Sequence, residues 1–208
     1  ESFVKVVDAF KPKAFIFENV TGMLSAKPGG ELVVERIYKA FSEIGYTVLE
    51  PNDLKKSVYD ANDFAVPQKR ERVILFGLRK DQKTTLAEFY KQLESLKCNE
   101  HLTVRDAIAD LPPIYPLEHV EKVKGKNVSH KAVDESDPFH MPRHCSARDI
   151  SMIREWIGAE MNKCSQKEAI AFYKKITGKD TLYRKYRNLE WDKPSPTVVA
   201  HLQKDGYM

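Results

Sequence analysis

Cysteine is scarce in this chain: Cys98, Cys145 and Cys164 are the only three among 208 residues. An odd, scattered set with no paired spacing argues against a disulfide framework and for a reducing compartment. No apolar run approaches the ~20 residues of a membrane-spanning helix, and no signal peptide opens the sequence. Internal repeats and low-complexity tracts are missing as well. His130, His140, His144 and Cys145 fit no closed zinc spacing, so no metal is expected. The excess of positive charge is only +4, a mild lean toward polyanionic partners.

What is present is an ordinary globular composition, 42% hydrophobic and 31% charged, long enough for one or two domains with a real core. The chain opens at Glu1 inside a helical pattern and without a methionine, which reads as a piece of a longer protein. Phe3, Val6, Val7 and Phe10 recur at helical spacing and predict a helix ending before Pro12. Residues 14–17 then predict a strand. After a loop with Pro28, Gly29 and Gly30, the positions Val34, Ile37, Phe41 and Ile44 trace one helical face stopped at Gly45. Residues 46–50 read as a strand, residues 51–67 as a loop, and residues 73–78 as a buried strand. The alternation predicts an open α/β sheet, with the last two strands as an antiparallel pair.

Beyond Asp81 the texture changes. Residues 84–96 predict a helix, and Thr103 caps a short one stopped by Pro112 and Pro113. Residues 116–142, polar with few apolar anchors, read as loop. Ser146 caps a helix with Ile150, Ile153 and Ile157 inward. Ser165 and Glu168 form a capping box opening another, with Ala169, Phe172 and Ile176 inward and Gly178 at its end.

Two stretches carry chemistry. In Val-Pro-Gln-Lys-Arg-Glu-Arg-Val, residues 66–73, the side chains of Gln68, Arg70 and Arg72 are spaced by two, so extended backbone sends all three to one face. Two guanidinium forks and an amide suit a phosphate, a carboxylate or the edge of a base; a polar, solvated start of a strand would look the same. The other stretch is Phe-Glu-Asn-Val-Thr-Gly, residues 17–22, which puts Glu18 and Asn19 at the end of an apolar strand, where α/β sheets hold their ligands.

These two motifs, in this order, together with Trp-Asp-Lys-Pro-Ser-Pro-Thr-Val-Val-Ala at residues 191–200, resemble the C5-cytosine DNA methyltransferase family. The resemblance implies an α/β fold, a partial Rossmann-like methyltransferase sheet with a second, smaller target-recognition domain. Residues 1–80 and 193–208 would belong to the catalytic domain and residues 81–192 to target recognition. The implied reaction moves a methyl group from S-adenosylmethionine to C5 of a cytosine flipped out of double-stranded DNA, as in restriction-modification systems of the bacterial cytoplasm. A cysteine thiolate adds to C6, and the addition needs a proton or strong hydrogen bond at N3. Glu18 matches the glutamate in that role, with burial expected to raise its pKa. Arg72 matches the arginine that holds O2 and orients the glutamate, Arg70 and Gln68 match its supporting partners, Asn19 the asparagine that fixes the catalytic loop, and Thr197 a backbone-contacting threonine.

The family's Pro-Cys nucleophile and its Gly-rich cofactor turn do not occur in these 208 residues. The isolated chain is therefore expected to transfer no methyl groups, to bind S-adenosylmethionine weakly, and to self-associate through the sheet edge left uncovered. No obligate protein partner and no membrane is implied. Tyr183-Arg-Lys-Tyr-Arg187 interleaves aromatic and basic side chains, so Arg184, Lys185 and Arg187 are DNA-backbone candidates, with a solvated basic turn as the plain alternative. A non-catalytic DNA-binding module and an RNA cytosine methyltransferase are the competing readings.

Overall fold

The computed structural model describes residues 2–123, 125–134, 140 and 144–198. They gather into two compact units, one closing at Leu102 and the other beginning at Thr103.

The first unit runs α1 (Ser2–Phe10), β1 (Ala14–Val20), α2 (Val33–Glu43), β2 (Tyr46–Thr47), β3 (Val58–Asp60), β4 (Gln68–Lys69), β5 (Glu71–Arg79) and α3 (Leu86–Ser95). β5 is the axis of the sheet. β1 lies antiparallel along one edge, from Ala14 opposite Leu78 to Val20 opposite Arg72. The other edge takes β2, with Tyr46 opposite Arg79, and β3, with Val58 opposite Val73. Residues 74–77 have no strand on that edge, and Tyr90 of α3 fills the gap: its hydroxyl donates to the Ile74 carbonyl and accepts from the Phe76 amide, each at 3.0 Å. The ring of Phe89 stacks on Phe76 at 3.9 Å beside it.

The core lies on the face of the sheet that α1 and α2 cover. Phe15 meets Phe41 at 4.4 Å between ring centroids, and Tyr46, fully buried, donates its hydroxyl to the Pro12 carbonyl at 2.6 Å. The predicted stripe of α2 holds, with Val34 and Phe41 buried and Gly45 in the left-handed region at φ 89°; such a φ costs a side-chain-bearing residue more than glycine. α1 forms as predicted but buries only Val7, leaving Phe10 81% exposed. The strand predicted over 46–50 pairs only at Tyr46 and Thr47, and the predicted loop 51–67 contains β3. Both differences follow from β5 being the shared partner: whatever touches its second edge becomes strand, however short.

The second unit contains α4 (Val104–Ile108), β6 (Ile114–Val123), β7 (Lys126–Ala132), α5 (Ala147–Gly158), α6 (Gln166–Thr177) and β8 (Ser195–Pro196). Its start is tied to its end, since the Val104 and Arg105 amides donate to the Lys193 and Trp191 carbonyls, both at 2.9 Å. The first half of the predicted loop 116–142 is instead a β6–β7 ribbon, turning through Gly125 at φ 78°. Backbone pairing needs no apolar anchors, so hydropathy did not reveal it. α6 opens with the predicted capping box at Ser165 and Glu168 and closes at Gly178 in the left-handed region. α5 turns differently from its predicted isoleucine stripe: Met152 and Trp156 are buried, while Ile157 is 51% exposed. Trp156 takes the inner face because it meets Phe172 at 5.8 Å and Tyr186 at 5.6 Å. Val198 is exposed, and Val199 lies outside the described residues.

Candidate active site

Antiparallel pairing puts Glu18 opposite Ile74, with Arg72 one diagonal step away on the same face of the sheet. That step brings Arg72 Nε to 2.9 Å from Glu18 Oε1. Arg70 approaches the same oxygen at 3.8 Å. One further arginine nitrogen, Arg72 Nη1, donates to the Glu71 carbonyl at 2.7 Å, which holds the fork in its plane. Two guanidiniums thus converge on one carboxylate.

Burial of Glu18 is not part of this geometry. β1 continues past it to Val20, and Ile16, Glu18 and Val20 all face outward, with the Glu18 side chain 48% exposed. The arginine pair, not desolvation, orients the carboxylate. Asn19 follows Glu18 in sequence but projects from the opposite face, as alternation along a strand requires. It borders a cavity of 540 Å³ between α1 and α2, walled by Phe17, Met23 and Ile37, with Lys5 and Arg36 also lining it. Its Oδ1 accepts from the Val20 amide at 2.8 Å.

Gln68 sits in β4, half-buried, and its side chain makes no hydrogen bond among the described residues. The ladder breaks at Arg70, between β4 and β5, so regular two-residue alternation holds from Glu71 onward and not before. Arg70 is placed by another route: Asp60 Oδ1 accepts from the Arg70 amide at 2.9 Å and from the Asn62 amide at 3.1 Å. Asn62, 8% exposed, ties the turn further by donating to the Val66 and Leu102 carbonyls, each at 3.0 Å. Sequence reasoning passed over Asp60 and Asn62. The Asp-Ala-Asn-Asp run at 60–63, rich in residues that bond neighbouring amides, was the available signal.

In the second unit, Arg184, Lys185, Tyr186 and Asn188 are half-buried, while Tyr183 and Arg187 are exposed. Arg184 donates to the Asn162 carbonyl at 3.3 Å and to the Cys164 carbonyl. Tyr186 packs on Trp156, and Asn188 Oδ1 accepts from Trp156 Nε1 at 3.2 Å. Arg184 is therefore spent inside the protein, whereas Arg187 is exposed and Lys185, half-buried, lies over the Tyr183 ring at 4.5 Å. Thr197, half-buried, follows β8.

The described lining of the cavity beside Asn19 does not fit S-adenosylmethionine. The cavity beside Asn19 offers its sulfonium two cations, Lys5 and Arg36, and no carboxylate for the ribose hydroxyls. Of the histidines named above, His130 Nδ1 lies 3.0 Å from the Ser129 hydroxyl, and His140 Nε2 donates to the Pro112 carbonyl at 2.9 Å.

Comparison with known proteins places the chain. The family described as C-5 cytosine-specific DNA methylase matches residues 2–206. Among curated relatives, the type II methyltransferase M.Bpa9945I of Bacillus paralicheniformis is 33% identical, across 99% of this chain and 49% of the relative. M.DdeI of Desulfomicrobium norvegicum is 37% identical over 54% of this chain and 26% of its own length. A solved DNA modification methyltransferase encoded within an E. coli prophage shares the fold at TM-score 0.50 and 19% identity, covering 94% of this chain and 55% of that one. The chain thus spans about half the length of the first of these curated relatives. With its Glu18–Arg72 pair in the two motifs and a family match along nearly its whole length, the chain belongs to the C-5 cytosine-specific DNA methylases.

Proposed function

We propose that the protein carrying this chain methylates C5 of cytosine in duplex DNA, as the modification half of a restriction-modification pair, with S-adenosylmethionine as the methyl donor held mainly by residues outside this chain. The observation that carries the proposal is the clamp on Glu18 by Arg72 at 2.9 Å and Arg70 at 3.8 Å. A thiolate adding to C6 of cytosine drives negative charge onto N3 and O2. A carboxyl group fixed in direction can hold a proton at N3, while the neighbouring guanidinium meets O2. Glu18 is open to solvent in the chain alone; a flipped base stacked over the pair would exclude that water and strengthen both contacts.

In this reading residues 1–80 and 193–208 serve the catalytic domain and residues 81–192 read the target. Asn19 steadies the loop bearing the nucleophile, and Gln68 and Thr197 contact the DNA strand. Names of the relatives, type II methyltransferases, support the restriction-modification setting. The test is methyl transfer by the complete protein to duplex DNA and to tRNA, read as 5-methylcytosine: product on DNA alone supports the proposal, and product on tRNA alone or on neither substrate refutes it.

A further inference from the structure

The β6–β7 ribbon is anchored at one end. At its root the buried Ser129 accepts from the Cys145 amide at 2.7 Å, the Val133 amide donates to the Pro113 carbonyl at 2.9 Å, and Ile114 pairs with Ala132. The register then slips: Pro116 stands opposite His130 and Glu121 opposite Val128, so residues 117–120 face Ser129 alone. Such a bulge bends its strand and raises the local twist. From Glu118 to Val123 every residue is exposed, and so are Lys126 and Asn127 across the ladder. A two-stranded ribbon bare on both faces is marginally stable by itself, and this end buries no side chain against the chain that carries it. Chemistry at the same end selects a partner. Its sequence is Lys-Val-Lys-Gly-Lys-Asn, residues 122–127. Lys122, Lys126 and Asn127 make no side-chain hydrogen bond or ion pair among the described residues. Glu118 lies in the bulge and Glu121 next to it, which leaves lysine as the one charged residue type in the turn. Lysine on a ribbon edge discourages a further strand from pairing there, which turns this surface away from a protein sheet and toward a polyanion. A two-stranded ribbon also fits the major groove of DNA, about 12 Å wide.

We propose that the end of the β6–β7 ribbon enters the major groove of duplex DNA and selects the sequence that is methylated. Lys122 and Asn127, directly opposite in the ladder and so on one face, read base edges, while Lys126 on the other face meets a phosphate. The proposal rests on the DNA reading above and adds to it the element and the side chains that choose the target. Lysine donates to the O6 and N7 acceptors of guanine, and an asparagine amide matches N6 and N7 of adenine. A phosphate contact carries no sequence information and fixes only the register of the ribbon on the duplex.

The test is bisulfite sequencing of a random-sequence duplex library methylated by the complete protein. The wild-type protein marks cytosine in one sequence context. Lys122→Ala and Asn127→Ala each relax a single position of that context, guanine for the lysine and adenine for the asparagine, with discrimination there falling on the order of tenfold or more. Lys122→Arg keeps guanine at its position. Lys126→Ala instead weakens methylation of all sequences alike and flattens the salt slope of binding by roughly one unit. The replaced side chains are exposed, and matching circular dichroism shows that the variants fold. An unchanged context in Lys122→Ala and Asn127→Ala, or an equal loss on every sequence, overturns the role of the ribbon and leaves the DNA reading standing. A wild-type protein that methylates tRNA and not the library, or neither, overturns both. Loss of self-association on sedimentation, with the context unchanged, overturns the groove contact in favour of a protein contact.

Discussion

Phe15 stands directly across the β1–β5 ladder from Gly77, and its ring lies where a side chain at 77 would have to go: a Cβ there would come within 2.1 Å of a ring carbon. Glycine is required for space, not for backbone freedom. Gly77→Ala is expected to destabilise the first unit by about 3 kcal/mol or more, the upper range for overpacking. Phe15→Leu in the same chain should recover part of the loss. Urea titration of the three variants checks this, and additive losses in the double variant would refute the steric reading.

The clamp on Glu18 makes a kinetic prediction for the complete protein. Glu18→Gln keeps the shape and a hydrogen bond but cannot deliver a proton to N3, so kcat falls on the order of 10²-fold or more with duplex binding retained. Arg72→Ala costs at least as much, because it releases both the carboxylate and the base. Arg72→Lys keeps the charge but loses the fork and stays close to the alanine variant. Single-turnover methylation separates these effects from binding; undiminished turnover in Glu18→Gln would remove the residue from the mechanism.

Tyr90→Phe deletes one oxygen and strands two backbone groups. The Ile74 carbonyl and Phe76 amide lose their shared partner at a place where the sheet has no strand. A loss of about 2 kcal/mol is expected, typical of buried polar groups left without a bond. Burial pushes the Tyr90 hydroxyl pKa up, so this bridge stays protonated well into alkaline solution. Faster hydrogen exchange at the Phe76 amide, with its β1-bonded neighbours little changed, is the local signature.

The basic segment divides by facing. Arg184→Ala should lower thermal stability and leave the salt dependence of DNA binding alone, since its guanidinium serves the Asn162 and Cys164 carbonyls. Replacing Lys185 and Arg187 together should do the reverse, flattening the slope of log affinity against log salt by roughly one unit per phosphate contact. The opposite partition would show that the segment binds DNA through its inward side.

A titration tests the corner after β5. The hydrogen bond from Arg79 Nε at 2.8 Å, aided by Gln82, lowers the Asp81 carboxyl from its ordinary 3.8 to about 2. A depressed carboxylate stabilises the fold above its unfolded pKa, and that contribution fades as pH falls from about 3.8 through about 2. Asp81 is 60% exposed, so salt screens the contribution. NMR titration should find the Asp81 midpoint near 2, moving back toward 3.8 in Arg79→Ala.

How much of this was legible beforehand depends on what each feature rests on. Glu18, Arg70 and Arg72 were named through the resemblance of their two motifs to a family's, and strand alternation brings Arg72 to Glu18's face. The capping box at Ser165 and the stop at Gly45 were readable because a few local atoms decide them. The exposure of Glu18 was not, since it depends on what lies over the sheet face. Nor was the choice of Trp156 over Ile157 for the inner side of α5, because the aromatic partners Phe172 and Tyr186 come from further along the chain. Arg184 and Arg187 look alike in the sequence; what separates an anchor from an exposed cation is the pair of carbonyls, at Asn162 and Cys164, that the fold brings to Arg184.

The antiparallel register also sets a timetable for synthesis. β1 is made early, yet its partner for Ala14 is Leu78, and β5 in turn waits for Tyr90 before its second edge is satisfied. Until that stretch has left the ribosome, Phe15 and Phe17 lack their β5 partner, and long-range pairing of this kind is slow and open to aggregation. A nascent chain stalled before β5 should therefore engage holding chaperones through the very strand that carries Glu18, and release them once Tyr90 has emerged.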